Sequence, residues 1–342
     1  MTIDTKRYSR QILFPPIGKN GQERLMQAKI AIVGMGALGT ALANHMARAG
    51  IGYIRVIDRD FVEESNLQRQ MLFDEKDAHE QIPKAIAAKQ KLEMINSHIQ
   101  IEAEVTDLNW RNAETLLSNV DLILDGTDNF LVRYLVNDVS LKHHIPWIYG
   151  GAVSARGMTF TIRPGITACL RCLFPSPPTP GSAETCDTAG VIGPIIHMVT
   201  SFQATEALKL LINDTESLDT RLRHIELWKN HHTTMDVRKN PECPACQKHQ
   251  YEFLQPQQHE ELAVSLCGRQ TIQISPTRST QLNLNHLASQ LQSVGKTELN
   301  PFLLRVTIDP YRLVVFPDGR VLVQGTDEIS IAKTLVAKYI GM

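Results

Sequence analysis

The stretch that decides the fold is Ile30-Ala-Ile-Val-Gly34-Met-Gly36-Ala-Leu-Gly39. It is typical of an apolar strand that turns through glycines into a helix, and such a turn presents free backbone N–H groups to a phosphate. A second apolar strand ends at Asp58, 19 residues past Gly39, where a carboxylate can hold a ribose hydroxyl. Together these features predict a nucleotide-binding crossover, which dehydrogenases would also show.

Strands and helices alternate from residue 30 to residue 150, and this pattern predicts a mostly parallel, doubly wound α/β sheet with helices on both faces. Ligands of such sheets bind beyond the carboxyl ends of the strands, so motifs that follow strand ends should converge. A short polar helix or arm over residues 1–28 comes first. The predicted strands are 30–33, 53–58, 99–105, 121–125 and 146–149, and the predicted helices are 37–49, 84–96, 111–118 and 130–143.

The pattern changes after residue 158. A polar segment from 240 to about 258 marks a domain boundary, so we expect one domain over residues 1–255 and a small α/β domain over 260–342. An Asp-Gly turn between apolar runs predicts a hairpin within 311–323. The other elements predicted are strands at 158–163 and 222–229, a proline-rich loop at 174–181, and helices at 195–212, 285–294 and 327–339.

Composition restricts the functional classes. The chain has 342 residues, 43% of them hydrophobic and 21% charged, with a formal charge of −1, which argues against a dedicated nucleic-acid binder. The N-terminal residues lead into no apolar signal-peptide core, and no apolar run is long and uninterrupted enough to span a membrane, so we expect a cytoplasmic protein. Six cysteines in a chain without an export signal favour metal binding or catalysis over disulfides.

Four of these cysteines form two chelating pairs, Cys169-Leu-Arg-Cys172 and Cys243-Pro-Ala-Cys246. Each pair can present two thiolates to one tetrahedral zinc, and four protein ligands would make the site closed and structural. Two separate redox pairs, or unrelated thiols, are the alternatives. Neither pair lies at the strand-to-helix position of a thioredoxin-like motif, which favours zinc.

Charged residues near the predicted strand ends distinguish this chain from a dehydrogenase. Arg69 and Lys84 supply cations, Asp128 supplies a carboxylate suited to magnesium, and Arg7 and Arg10 add positive charge from the N-terminal arm. Cations and a metal-binding carboxylate around a nucleotide are what phosphate-transfer chemistry requires. The chain lacks the Gly-x-x-x-x-Gly-Lys-Ser/Thr motif, which disfavours a P-loop ATPase.

These motifs together resemble the ThiF/MoeB/HesA family, the bacterial relatives of ubiquitin-activating enzymes. The resemblance covers about residues 6 to 250, and it implies a Rossmann-like fold of the ubiquitin-activating-enzyme type with a zinc-bound region. The motifs that carry it are Arg7-Tyr-Ser-Arg10-Gln, the glycine turn, Asp58-x-Asp60, Ser65-Asn-Leu-Gln-Arg-Gln70, Pro83-Lys84, Asp125-Gly-Thr-Asp-Asn129 with Arg133 and Asn137, both cysteine pairs, and Thr185-Cys-Asp-Thr-Ala-Gly190.

The resemblance implies an adenylyltransferase that uses ATP and Mg²⁺ to activate the C-terminal Gly-Gly of a small ubiquitin-like sulfur carrier. By this resemblance Asp58 would hold the ribose, Arg69 and Lys84 the phosphates, and Asp128 the magnesium. Arg10 would reach the nucleotide of the partner subunit, since the family is dimeric. The implied nucleotide-binding set is Gly34, Gly36, Gly39, Asp58, Asp60, Asn66, Arg69, Gln70, Lys84, Asp128 and Asn129. One departure from the family pattern is Ala37, where the family usually has glycine.

Several assignments stay open. Cys186 corresponds to a family cysteine proposed to take part in sulfur transfer, and the alternative is a spare thiol. The carrier is either ThiS-like, for thiamine thiazole, or MoaD-like, for molybdopterin, and the sulfur donor would be a cysteine desulfurase or a rhodanese. Cys267 is assigned a structural role. An NAD-dependent oxidoreductase and a non-catalytic module that binds a ubiquitin-like protein are the rival functions.

Overall fold

The protein is described from a computed structural model, which covers residues 6–178, 184–255, 263–266, 270–276 and 281–341. Cys267 and the last residues of the predicted loop at 174–181 lie outside the described residues. The chain divides into two compact units, Met1–Pro256 and Gln257–Met342. No helix among the described residues combines the length and the apolar character needed to cross a bilayer.

The N-terminal unit is built on one eight-stranded sheet. Its strands are β1 (Lys29–Val33), β2 (Tyr53–Ile57), β3 (Gln100–Glu104), β4 (Leu122–Asp125), β5 (Trp147–Val153), β6 (Arg156–Ile162), β7 (Leu222–Glu226) and β8 (His231–Met235). Their order is β3-β2-β1-β4-β5-β6-β7-β8. Strands β3 to β5 in this order are parallel, and β6, β7 and β8 continue the sheet antiparallel. The predicted doubly wound, mostly parallel sheet is confirmed.

Helices cover both faces of this sheet. They are α1 (Ser9–Ile12), α2 (Gly18–Gln27), α3 (Ala37–Ala49), α4 (Glu75–Glu80), α5 (Lys84–Ile95), α6 (Ala113–Leu117), α7 (Phe130–His143), α8 (Leu170–Leu173), α9 (Cys186–Ala189) and α10 (Gly193–Ile212). Side chains alternate along β1, so Ile30 and Ile32 pack in the core with α3, α5 and α10. Ala31 and Val33 pack in the opposite core with α6 and α7. Burial on both faces explains the continuous apolar run of β1.

The structure corrects the predicted strand at 222–229. Strand β7 ends at Glu226, because the chain turns at once and Asn230 takes a left-handed backbone conformation, with φ of 52°. The chain then returns as β8, an exposed antiparallel strand that the apolar pattern could not indicate. The short helices α4, α8 and α9 were not predicted either.

The C-terminal unit is a six-stranded antiparallel sheet with two helices. In chain order it contains β9 (Ala263–Leu266), β10 (Thr271–Ile274), α11 (Leu284–Leu291), β11 (Lys296–Leu299), β12 (Leu304–Ile308), β13 (Tyr311–Val315), β14 (Val321–Gln324) and α12 (Ile329–Tyr339). The strand order is β11-β12-β13-β14-β10-β9. The predicted hairpin is β13–β14, closed at the Val315–Val321 pair, and Gly319 in its turn has a φ of 85°. Both helices pack into one apolar core on the sheet.

Candidate active site at the carboxyl edge of the sheet

In the glycine turn after β1, Gly34 and Gly39 pack closely against backbone atoms, whereas Gly36 faces open space. A Cβ on Gly39 would lie 1.8 Å from the carbonyl oxygen of Gly34, and a Cβ on Gly34 would lie 2.8 Å from that of Gly126. A Cβ on Gly36 would have no heavy atom within 4 Å. The open space at Gly36 lies at the N-terminus of α3, and a helix N-terminus offers unpaired backbone N–H groups to an anion. Ala37 begins α3 without a positive φ, so its methyl group strains no backbone.

Asp58 joins this turn to the segment that follows β2. Its Oδ2 accepts a hydrogen bond from the Met35 N–H at 2.6 Å, and its Oδ1 accepts one from the Asp60 N–H at 2.7 Å. Burial raises the pKa of Asp58; the Lys84 ammonium opposes this shift and the Asp60 carboxylate adds to it. The carboxylate therefore fixes the shape of the turn, and its contact with a ribose stays a prediction.

Two cations share the carboxylate of Asp60. Lys84 begins α5, is 4% exposed, and places its Nζ 3.3 Å from Asp60 Oδ2. Arg59 places its Nε 3.8 Å from Asp60 Oδ1 and its Nη1 3.0 Å from Asp107 Oδ1. Burial lowers the pKa of Arg59, but the carboxylates of Asp107, Asp60, Asp128 and Asp58 together raise it.

The sequence analysis missed Arg59 and Asp107. The sequence could have indicated a role for Arg59, because this residue lies between the two acids of the Asp58-x-Asp60 motif. Asp107 had no such signal, since it follows β3 and meets Arg59 only through the parallel pairing of β2 with β3.

The segment from Ser65 to Gln70 is held largely by its own backbone and amides. Asn66 is buried, its Oδ1 accepts from the Glu63 N–H at 3.2 Å, and its carbonyl oxygen accepts from the N–H groups of Arg69 and Gln70. Arg69 is partly exposed and donates from Nη1 to the Ser65 carbonyl at 2.9 Å. Gln70 is buried, and its Oε1 has no hydrogen-bond partner among the described residues. Asn66 and Gln70 thus shape the segment that presents Arg69.

A buried ion pair fixes the loop after β4. Asp125 Oδ2 accepts from Arg133 Nε at 2.9 Å and from the Gly150 N–H at 3.2 Å. Arg133 Nη2 donates to the Thr127 carbonyl at 2.6 Å. The Arg133 guanidinium thus bonds to both ends of this short turn, at Asp125 and at Thr127. These bonds hold the backbone of the loop after β4 in one conformation.

That loop presents one exposed acid. Asp128 is exposed, and its charge helps to raise the pKa of both Arg59 and Arg133. Asp107 and Asp60 raise the pKa of Arg59 more, and Asp125 raises that of Arg133 more. Asn129 instead caps α7, since its Oδ1 accepts from the Leu131 N–H at 2.9 Å. The predicted magnesium carboxylate is therefore open to solvent, while the predicted nucleotide contact of Asn129 has its amide oxygen occupied by the helix cap.

Arg10 lies at the other end of α3 from the glycine turn. Helix α1 is anchored there because Gln11 Nε2 donates to the Ala49 carbonyl at 2.9 Å. Tyr8 adds a second anchor, since its hydroxyl accepts from Asn96 Nδ2 at 2.9 Å. The 13 residues of α3 span about 20 Å, a distance that an arginine side chain does not cover. Arg10 is exposed and does not reach the glycine turn of its own chain.

Cys186 lies at the same edge of the sheet as the glycine turn. Its Sγ is 3.5 Å from the carbonyl oxygen of Ala152, near the end of β5, and Ala152 packs against the same apolar cluster as Ala37. Cys186 begins a one-turn helix, α9, which Thr185 caps by accepting from the Thr188 N–H, and α9 precedes α10, which begins at Gly193.

The four paired cysteines form one cluster. Their sulfur atoms lie within 4.8 Å of one another, with Sγ–Sγ distances of 3.9 Å for Cys169–Cys172, 3.6 Å for Cys169–Cys243 and 3.5 Å for Cys172–Cys246. A tetrahedral zinc with Zn–S bonds of about 2.3 Å requires sulfur separations of about 3.8 Å. The donor set and its dimensions therefore fit one closed zinc site, with the Asn240 N–H donating to Cys172 Sγ at 3.4 Å.

The fold and the glycine turn are those of the α/β nucleotide-binding proteins. In this chain the site is strongly charged, and the four-thiol cluster is separate from it. More specifically, the chain belongs to the ThiF family, whose model matches residues 8–245.

Curated relatives agree with this assignment, and a solved structure shares the fold. The chain is 43% identical over 340 residues to the sulfur carrier protein ThiS adenylyltransferase of Bacillus subtilis, covering 98% of this chain and 100% of the relative. It is 38% identical over 245 residues to a sulfur carrier protein adenylyltransferase of Thermus thermophilus, covering 70% and 90%. The crystal structure of Escherichia coli MccB matches with a TM-score of 0.63 at 23% identity, covering 76% of each chain, and supports the fold.

Proposed function

We propose that this protein adenylates the C-terminal carboxylate of a small ubiquitin-like sulfur-carrier protein. The observation that carries the proposal is the 43% identity, along the whole chain, to a ThiS adenylyltransferase. That relative also favours a ThiS-like carrier over a MoaD-like one. In the reaction a carboxylate oxygen of the carrier attacks the α-phosphorus of ATP, the bond to the bridging oxygen breaks, and pyrophosphate leaves. The terminal sulfur of a persulfide then attacks the acyl carbon and displaces AMP, and a second thiol cleaves the resulting acyl disulfide to release the thiocarboxylate.

The described side chains support this chemistry without a nucleophile from the enzyme. The triphosphate would lie over Gly36 at the N-terminus of α3, with Lys84 and Arg69 as its cations. Asp128, exposed at the loop after β4, would hold Mg²⁺, which supplies further charge neutralisation when bound. Asp58 would contact the ribose at the end of β2.

The active form is proposed to be a homodimer in which Arg10 acts on the partner's nucleotide. The support is geometric, because about 20 Å of helix α3 separates α1 from the glycine turn of the same chain. Leu13 and Phe14, which directly follow α1, are 68% and 56% exposed, so the surface beside Arg10 is apolar. Such a surface favours a protein contact over water.

The thiol cluster is proposed to hold a structural zinc. It joins Cys169, the N-cap residue of α8, and Cys172, within α8, to the chain segment that carries Cys243 and Cys246, about 70 residues later. Cys186, by contrast, lies at the nucleotide edge, and we assign it to sulfur transfer after activation. A cysteine desulfurase or a rhodanese would supply that sulfur.

ATP–pyrophosphate exchange with purified ThiS-like and MoaD-like carriers tests the proposal. We expect exchange with the ThiS-like carrier, and we expect Asp128→Ala to lose most of it while it remains folded, because the magnesium carboxylate is gone. If neither carrier supports pyrophosphate exchange, the proposed function is refuted. Reduction of NAD⁺ by the protein would instead support the oxidoreductase.

Subunit mixing tests the role of Arg10. Arg10→Ala alone should be inactive, and a mixture with Asp128→Ala should regain part of the activity, since a mixed dimer contains one site with both residues intact. Full activity of Arg10→Ala, or an inactive mixture in which subunit exchange has been demonstrated, would contradict action across the dimer.

A further inference from the structure

We propose that Arg59 is a positioning residue of the nucleotide site, which holds Asp60 and so leaves the Lys84 ammonium available to the phosphates. The inference rests on the proposed function, because it concerns the same site. Arg59 is outside the nucleotide-binding set that the sequence motifs define, and its role follows from where its guanidinium lies.

The guanidinium of Arg59 bridges the ends of two strands. Its Nη1 is 3.0 Å from Asp107 Oδ1, in the loop after β3, and its Nε is 3.8 Å from Asp60 Oδ1, just after β2. The other oxygen of Asp60 is 3.3 Å from Lys84 Nζ. One carboxylate thus lies between two cations. The side chains of Arg59 and Lys84 are only 21% and 6% exposed, so water screens these charges weakly.

This arrangement matters when a nucleotide arrives. A phosphate that recruits Lys84 must compete with Asp60 for the ammonium. With Arg59 in place, Asp60 keeps a cation when Lys84 moves, and no uncompensated carboxylate remains beside the triphosphate. Without Arg59, Asp60 would have one cation fewer, so it would retain Lys84 more strongly and repel the phosphates. A guanidinium suits this role because it stays charged and its fork can serve two acids at once.

A merely structural role for Arg59 would be to tie β2 to β3. The same two strands already carry such a tie, because Arg55 Nε lies 2.7 Å from Glu102 Oε2 in their paired region. Arg55 is therefore a matched control: it is an arginine on β2, paired with an acid of β3, and its guanidinium donates to Glu102 and the Leu116 carbonyl rather than to Asp60 or Lys84.

The test measures the affinity of the full-length protein for Mg-ATP by calorimetry. We expect Arg59→Gln to weaken binding at least about tenfold, the effect of losing one charge-assisted interaction. Arg59→Lys should recover part of the affinity, and Arg55→Gln should bind as the wild type does. In pyrophosphate exchange, Arg59→Gln should raise KM for ATP and leave kcat nearly unchanged. A general loss of structure would not produce this pattern.

A double-mutant cycle tests the mechanism itself. Once Asp60→Asn has removed the competing charge, the further change Arg59→Gln should weaken Mg-ATP binding less than about threefold. Wild-type affinity in Arg59→Gln, an equal loss in Arg55→Gln, or an undiminished loss in the Asp60→Asn background would each overturn the inference.

Two further outcomes have a definite meaning. If Arg59→Gln does not fold, Arg59→Met carries the test, since it keeps the aliphatic stem and loses the charge, and wild-type affinity in this variant would overturn the inference. If the wild type binds Mg-ATP but exchanges pyrophosphate with no carrier, the proposed function fails, while weaker binding by Arg59→Gln would still support the role of Arg59.

Discussion

The glycine turn permits a sharp test, because two of its glycines are required for different physical reasons. In Gly39→Ala the new Cβ would lie 1.8 Å from the Gly34 carbonyl oxygen, and real Cβ contacts stay above 3.0 Å, so the backbone must move by at least 1.2 Å. In Gly36→Ala the new Cβ meets no heavy atom within 4 Å, and the φ of −79° suits alanine. The first change should therefore damage the fold, and the second should affect only what occupies the open space.

The expected magnitudes follow from these contacts. Overpacking against a well-packed interior costs about 1–3 kcal/mol, and a clash between backbone atoms belongs at the upper end. For Gly39→Ala we expect a loss of about 3 kcal/mol, or roughly 6–12 °C in Tm for a unit of this size. Gly36→Ala changes only an N-cap glycine to alanine and should cost less than about 1 kcal/mol.

Differential scanning calorimetry and titration with Mg-ATP read these two effects separately. Gly36→Ala should keep its Tm within about 4 °C of the wild type and bind Mg-ATP at least about tenfold more weakly, because its methyl group occupies the place of a phosphate. Unchanged Mg-ATP affinity in Gly36→Ala would show that the phosphates lie elsewhere. A wild-type Tm in Gly39→Ala would show that the close packing of the turn is not required.

The purified protein should contain about one zinc per chain, and Cys243→Ser should lower Tm sharply while Mg-ATP affinity stays near wild type; zinc-free protein from a chelator-free preparation would contradict this. Cys186→Ser should leave pyrophosphate exchange intact and slow thiocarboxylate formation, as mass spectrometry of the carrier would show; loss of exchange would place this thiol in the nucleotide site. Burial raises the pKa of Asp138 to about 7, so the folded protein holds a proton that the unfolded chain has released above about pH 4. Stability should therefore fall as pH rises from about 4 to 7, by up to about 4 kcal/mol in total, and level off above pH 7. Asp138→Asn, which keeps an acceptor for the Phe253 N–H, should remove most of that dependence; an unchanged pH profile would refute this assignment.

The sequence predicted most accurately the helices and strands whose ends and apolar pattern are set by residues adjacent in the chain. Helix α3 was predicted at 37–49 and is found at Ala37–Ala49, because glycines on both sides mark its ends and its apolar residues are continuous. Strand β1 and helix α7 were predicted to within one residue for similar reasons. Strand β8 was missed because its residues, His231 to Met235, are polar and mostly exposed, so they have no apolar alternation.

The candidate site was predicted less completely, since several of its features depend on tertiary structure. The two cysteine pairs were expected to meet, and they do, because four thiols in two short motifs already suggest one metal. The contact between Arg59 and Asp107 joins positions 48 residues apart and has no motif of its own. The position of Arg10 at the far end of α3 depends on how Gln11 docks on Ala49, which composition and periodicity do not reveal.

The charges at the carboxyl edge support the proposed magnesium site and the proposed action of Arg10 across a dimer. Among the described residues, Asp58, Asp60, Asp107 and Asp128 are set against Arg59, Lys84 and Arg69, so this group of side chains is negative by one charge before any nucleotide binds. A triphosphate adds several more negative charges, and the attacking carboxylate adds another. Lys84 and Arg59 already face acids of the same chain, so they cannot offset this load alone. A divalent cation at Asp128 and an arginine from a second subunit are the additions that would bring the transition state close to neutrality. The subunit-mixing experiment on Arg10 and Asp128 therefore tests the electrostatics of the site as well as its symmetry.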